Sequence, residues 1–189
     1  MKRGLTKTLL LLMAAVIFSV SCSKDRGIKA SVEIDDKNLT ACPANFNCQY
    51  PFTEHAQVNA ENGAITTGIN RVFWASILVK DSPNVQTTGR GYTLYIDASM
   101  QGNTFSLKKE DILAGKVKLM RQGCPTCYMA PARPVIDGYV KGINMNPEKP
   151  ADQTKWLLEI QVILAPEVGQ SANETVNIKQ YFYPNFIYN

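Results

Sequence analysis

Residues 155–165 read KWLLEIQVILA, and their apolar side chains recur at every second position. Trp156, Leu158, Ile160, Val162 and Leu164 share one side, while Leu157, Glu159, Gln161 and Ile163 share the other. Successive side chains of an extended chain point to opposite faces, so this run predicts a strand with a fully apolar face. The same pattern recurs in GYTLYIDAS, residues 91–99, where Tyr92, Leu94, Ile96 and Ala98 oppose Thr93, Tyr95 and Asp97. RVFWASILVK, residues 71–80, is apolar on both faces, as expected of a strand covered on both sides. Weaker strand patterns cover 30–34, 56–60, 104–107, 116–121, 134–143 and 175–183, with Gly138 and Gly142 marking a bulge or a close backbone approach.

The punctuation between these runs agrees with a chain that reverses often. KDSPN and TTGRG bracket one connection and MNPEKPADQ forms another, each supplying Pro, Gly, Asn or Asp where the backbone must turn. LKKEDILAG is the one helical pattern, and it is expected to end at Gly115. Many short strands with little helix predict an all-β domain over 40–189, an antiparallel β-sandwich or barrel of about seven to nine strands with at most one short helix.

Ahead of that domain the chain changes character. Lys2, Arg3 and Lys7 precede an unbroken apolar run from Leu9 to Phe18, and small residues follow: the zones of a secretory signal peptide, residues 1–21. Ten apolar residues are too few to span a bilayer, which needs about 20. Ser19-Val20-Ser21-Cys22 resembles the lipobox of bacterial lipoproteins, with a small residue directly before the cysteine. The resemblance covers the first tenth of the chain and implies that Cys22 becomes the lipidated first residue of the mature protein. Acyl chains there, palmitate among them, would attach the chain to a membrane, each buried methylene contributing about 0.8 kcal/mol. Residues 22–39, polar and charged, then read as a tether. Ser23-Lys24-Asp25 is similar to signals that send lipoproteins to the outer membrane of the cell envelope.

Removing the signal changes the electrostatics. Of 20 Lys and Arg, three lie in residues 1–21, leaving 17 against 16 Asp and Glu, or +1. A near-neutral mature chain without a basic run gives no electrostatic case for nucleic acid as a partner. Cysteine parity points to the same compartment, because five cysteines minus the lipidated Cys22 leave Cys42, Cys48, Cys124 and Cys127. Four cysteines allow three pairings. The two local ones, Cys42 with Cys48 and Cys124 with Cys127, are favoured here as loop staples, each closing a short loop with a proline in it. GCPTC also has the spacing of thiol-disulfide oxidoreductases, but the prolines that follow it, Pro131 and Pro134, oppose the helix that such a motif opens. Zinc would have to bridge CxxC to CPANFNC, whose five intervening residues exceed the usual spacing, so no metal site is assigned.

No catalytic residue or cofactor motif emerges from the remaining polar residues. His55 is the sole histidine, and Ser76, Ser99 and Ser106 lack a nucleophile-elbow context. Asp97, Asp137 and Glu159 are the carboxylates to follow, because a hydrolytic pair meets only in the fold. The C-terminal QYFYPNFIYN places Tyr181, Tyr183, Phe186 and Tyr188 as candidate ligand-binding aromatics. The expected activity is non-catalytic: a lipid-anchored envelope module binding a glycan, a peptide or an envelope protein. The rival is an envelope enzyme, either a carboxylate-based hydrolase or a CxxC oxidoreductase. Intact mass of the protein purified from its own membranes checks the address. A mass beginning at Cys22 plus diacylglycerol and an acyl chain is expected, with thiol alkylation only after reduction; an unmodified Cys22 would overturn the anchor.

Overall fold

The computed structural model describes residues 32–80, 91–122, 133–167, 169 and 171–185. Cys22, the signal segment, Cys124, Cys127, Phe186 and Tyr188 therefore lie outside the described residues. The described residues form ten strands: β1 Phe46–Gln49, β2 Pro51–Val58, β3 Ile65–Thr67, β4 Asn70–Val79, β5 Gly91–Ser99, β6 Thr104–Leu107, β7 Val117–Gln122, β8 Val135–Asn144, β9 Trp156–Leu164 and β10 Glu174–Pro184. They form one sheet in the order β6-β8-β9-β10-β2-β4-β5-β7, with β1 also on β4 and β3 on β2.

The all-β class holds, but two details of the expected architecture do not. The sheet is mixed, because β10 runs parallel to β2 through Tyr183↔Pro51 and Pro184↔Phe52, and the strands exceed the expected seven to nine. Proline explains part of the difference. Pro51 has no N–H for the ladder to β4, which is interrupted there between Gln49↔Ser76 and Phe52↔Phe73. On the opposite edge, the carbonyls of Tyr50 and Phe52 accept from the N–H groups of Tyr183 and Asn185 at 2.9 and 2.7 Å. The proline thus sits where β10 can attach without needing its missing donor. The run from Phe46 to Val58 alternates through Phe46, Cys48, Tyr50 and Phe52, but Pro51 and the polar Glu54 and His55 interrupt it, and the expected strand covered only its end, from Ala56.

The sheet curls so that the two halves of one face bury each other. From one half come Phe52, Phe73, Ala75, Ile77, Leu94 and Ile96; from the other, Val140, Trp156, Leu158, Ile160, Val162 and Phe182. Phe73 is the centre of this core. Its ring centroid lies 5.4 Å from Phe52, 5.4 Å from Phe105, 5.6 Å from Trp156 and 5.7 Å from Phe182. The alternation of β9 is realised as expected, with all five residues of its apolar face buried.

A bulge in β2 changes which face the chain presents. Thr53 pairs with Val72 and Ala56 with Asn70, so Glu54 and His55 together oppose Arg71 alone. His55 takes a left-handed conformation with φ of 53°, and it is exposed. One extra residue inverts side-chain parity. Phe52 therefore joins the main core, while Ala56 and Val58 join Val72, Ile65, Trp74 and Tyr95 in a second cluster on the opposite face. Glu54 stays beside Arg71, whose Nε and Nη2 donate to Glu54 Oε1 at 2.8 and 2.6 Å. The Arg71 guanidinium lies 4.2 Å over the Trp156 ring and joins the two halves through a cation–π contact.

Between β6 and β7 the helical pattern forms a short helix, α1 Lys109–Asp111, that passes into a wide turn over Ile112–Lys116. Gly115 ends it with φ of 81°, as the sequence predicted. Asp111 anchors this turn by accepting from Lys108 N at 3.1 Å and from Lys116 Nζ at 2.6 Å. Ile112 is buried in the core behind it. Of the favoured disulfides, Cys42–Cys48 is formed, with a Cα separation of 5.8 Å, at the entrance to β1. The expected strand at 30–34 is absent over its described part, Val32–Ile34. The segment instead reaches the sheet at Thr40, whose N–H donates to Lys179 O at 2.8 Å.

Gly142 leaves room for Phe105, because a Cβ built there would fall inside that ring. Gly142→Ala should lower stability by about 1–3 kcal/mol through overpacking, and Phe73→Ala by about 3–5 kcal/mol through the cavity it leaves. Both effects are read as a drop in urea midpoint at unchanged m-value.

Candidate functional site

A cleft of about 450 Å³ opens where the end of β5, the start of β4 and the turn after α1 meet. Asp97 and Ser99 come from β5, Asn70 from β4, Gln101 from the following turn, and Lys116 and Lys118 from the far side. Each arrives for a local reason. Asp97 faces away from the main core because Ile96 and Ala98, its neighbours on β5, occupy that core. Lys118 belongs to the same face, since its cross-strand partner is Tyr95, two residues before Asp97. Gly115 turns the chain so that Lys116 ends beside the cleft.

Asp97 is the least settled group in the cleft. Its side chain is 16% exposed and Lys118 Nζ stands 3.8 Å from Oδ2, a loose ion pair. Oδ1 is buried without any hydrogen-bond partner. Burial pushes the carboxyl above its ordinary range, and the opposing pull of Lys118 does not cancel it. Leaving a buried acceptor unpaired costs about 1–3 kcal/mol.

The other carboxylates singled out from the sequence are elsewhere, each with its own cation. Asp137, on β8, accepts from Lys109 Nζ at 2.8 Å at an exposed position. That bond and the Gly138 N–H hold its carboxyl below the ordinary range. Glu159, on β9, accepts from Tyr139 OH at 2.9 Å and lies 3.4 Å from Lys141 Nζ. None of the described clefts brings two of these three together. Ser76 is buried and bonded to Thr93 at 3.0 Å. Among the described residues no group of His, Cys, Asp and Glu has metal-holding geometry, and no helix is long and apolar enough to cross a membrane.

The C-terminal aromatics divide by parity. Phe182 points inward and is fully buried, whereas Tyr181 and Tyr183 share the outer face of β10. Tyr183 is 55% exposed, and Lys155 Nζ lies 4.1 Å over the Tyr181 ring. At the other end of β5, a smaller cleft of about 330 Å³ includes Tyr92, Arg121 and Glu174. Arg121 pairs with Glu167 and buried Arg133 with Glu174, so its cations and anions balance. Burial, then the charge of Glu174, pushes the Tyr92 phenol up to about 12.

No protein family, curated protein or solved structure matches this chain. Function is therefore read from the cleft's own chemistry. The alternation in GYTLYIDAS already put Asp97 on the outward face of its strand. Nothing local could have shown that Asn70, Gln101 and Lys116, distant in sequence, would surround it.

The sign of the Asp97 shift sets a pH signature. A carboxyl whose folded value lies above its unfolded 3.8 favours the fold most when protonated, and loses that contribution as pH rises through the raised value. Asp97→Asn, which keeps shape and removes the charge, should match the natural protein near pH 3 and become more stable than it toward neutrality. Denaturation midpoints of both proteins across that range check it; a difference of the opposite sign would mean that the carboxylate is well paired.

Proposed function

We propose that this protein is a lipid-anchored module of the bacterial cell envelope that binds a ligand without transforming it, using the cleft around Asp97. The lipobox-like Cys22 and the charged residues after it support attachment to the outer membrane through lipid. The observation that carries the binding role is the cleft itself, about 450 Å³ in volume, where the polar side chains of Asp97, Asn70, Gln101 and Ser99 line one opening. An open cleft lined by a small number of polar side chains is the kind of surface that holds a ligand. The separate lysine partners of Asp97, Asp137 and Glu159 favour this reading over a carboxylate-based hydrolase, whose two acids must flank one bond. The outward Tyr181 and Tyr183 offer a second contact surface on β10 for an envelope glycan or protein.

The test uses the full-length lipidated protein in detergent, mixed with glycan and peptide fractions released from the envelope of the producing cell. One fraction is expected to raise the thermal midpoint, by mass action equivalent to about 2.7 kcal/mol at a hundredfold excess over Kd, and to be recovered with unchanged mass. Recovery of cleaved or reduced products would establish the rival enzyme, and no shift with any fraction would remove the binding role.

A further inference from the structure

We propose that the outer face of β10, around Tyr181 and Tyr183, lies against the phospholipid headgroups of the membrane to which Cys22 is anchored. This rests on the lipid anchor of the reading above, and it gives the tyrosine face a lipid partner in place of a glycan or protein.

The first argument is where the chain leaves the domain. Thr40 is tied to β10 by three hydrogen bonds. Its N–H donates to Lys179 O at 2.8 Å, its Oγ1 accepts from Lys179 N at 2.9 Å, and its carbonyl accepts from Gln180 Nε2 at 3.2 Å. Just before it, the Lys37 carbonyl accepts from Lys179 Nζ at 3.2 Å, and the Asp36 carboxylate accepts from the Tyr181 phenol. Lys179, Tyr181 and Tyr183 are alternate residues of one strand, so their side chains share a face. The last part of the expected tether is therefore fastened to that face, and only the chain before Asp36 is left to reach the membrane.

The second argument is reach. Asp36 follows Cys22 by fourteen residues, and a chain of that length spans at most about 50 Å when fully extended. A domain of about 150 residues is roughly 40 Å across, so the path around it to the opposite face is about 60 Å. The β10 face and its margins can meet the bilayer, and the far side of the domain cannot.

The third argument is the chemistry of the face. Tyr183 is 55% exposed, and Lys155 Nζ lies 4.1 Å over the Tyr181 ring. Tyrosines suit a membrane surface because the ring sits at headgroup level while the hydroxyl stays in water. Among the described residues no carboxylate pairs with Lys155 or Lys179, whereas Lys109, Lys116, Lys118 and Lys141 each have one. Anionic headgroups supply the counter-charge that the fold leaves out here.

The experiment reconstitutes the lipidated protein into unilamellar vesicles of phosphatidylethanolamine and phosphatidylglycerol and floats them on a density gradient. Hydroxyl-radical labelling of the floated protein is then read residue by residue by mass spectrometry. The unlipidated Cys22→Ser protein in buffer is the reference, and Leu113, 63% exposed in the turn before β7, is the internal standard. Labelling of Tyr183 is expected to fall about threefold or more on vesicles, with Leu113 unchanged. Reversing both charges, Lys155→Glu with Lys179→Glu, should return Tyr183 to at least half of its reference labelling while the protein still floats. Unchanged Leu113 labelling shows that this variant is folded. Failure of the natural protein to float would overturn the anchor and the inference together. Flotation with Tyr183 labelled as in the reference would overturn the inference alone. A Tyr183 that stays labelled on vesicles and is shielded only by an envelope glycan fraction would overturn it too, and would assign the face to that glycan.

Discussion

Four aromatic rings from four other strands converge on Phe73, and the curled sheet depends on that contact. Phe52, Phe105, Trp156 and Phe182 belong to β2, β6, β9 and β10, so a single side chain of β4 touches both halves of the sheet. A flat sheet of ten strands would leave one whole apolar face in water. Folding the face on itself buries it, and large rings at offset or edge-on angles fill the gap with little empty volume. Ring packing also explains two otherwise costly choices. Gly142 lacks a side chain because Phe105 needs its space, and Arg71 is buried because its guanidinium covers Trp156 while Glu54 neutralises it.

The same architecture accounts for where the cleft is. β5 ends as the chain turns toward β6, and the turn after α1 must return it to β7, so the chain passes twice over one end of the β4–β5 pair. Side chains from that turn and from two strand ends meet there without filling the space. Asp97 is among the lining residues, and its Oδ1 is buried without a hydrogen-bond partner. The cleft thus lies at the margin of the packed region, with its polar side chains held in position by rigid strands.

Much of this fold was legible residue by residue. The faces of β5 and β9 followed from alternation, β4 was recognisable as a strand apolar on both faces, and β6, β7, β8 and β10 lay within a residue or two of the expected runs. The signals for Gly138 and Gly142 also had structural meaning, since a Cβ at either would strike the neighbouring chain or ring. The failures have a common origin. Residues 46–58 alternate through Phe46, Cys48, Tyr50 and Phe52, but Pro51 and the bulge at Glu54 and His55 interrupt the regular pairing that a local pattern assumes. The aromatic run of β10 was visible, but which members turn inward was settled by the fold, which buries Phe182 and leaves Tyr183 exposed.

The sequence by itself determined that this chain is built from strands, which faces of most strands are apolar, and that a short local disulfide could close at Cys42 and Cys48. These are properties of neighbouring residues, set by steric alternation and by short loops. Only the tertiary structure decided that β10 pairs parallel to β2, that the sheet is mixed, and that Asn70, Asp97, Gln101 and Lys118 share one cleft. Strand pairing and cleft formation join residues far apart in the chain. Their choice rests on the summed packing of the whole core and on which backbone donors remain unpaired, and no local window contains that information.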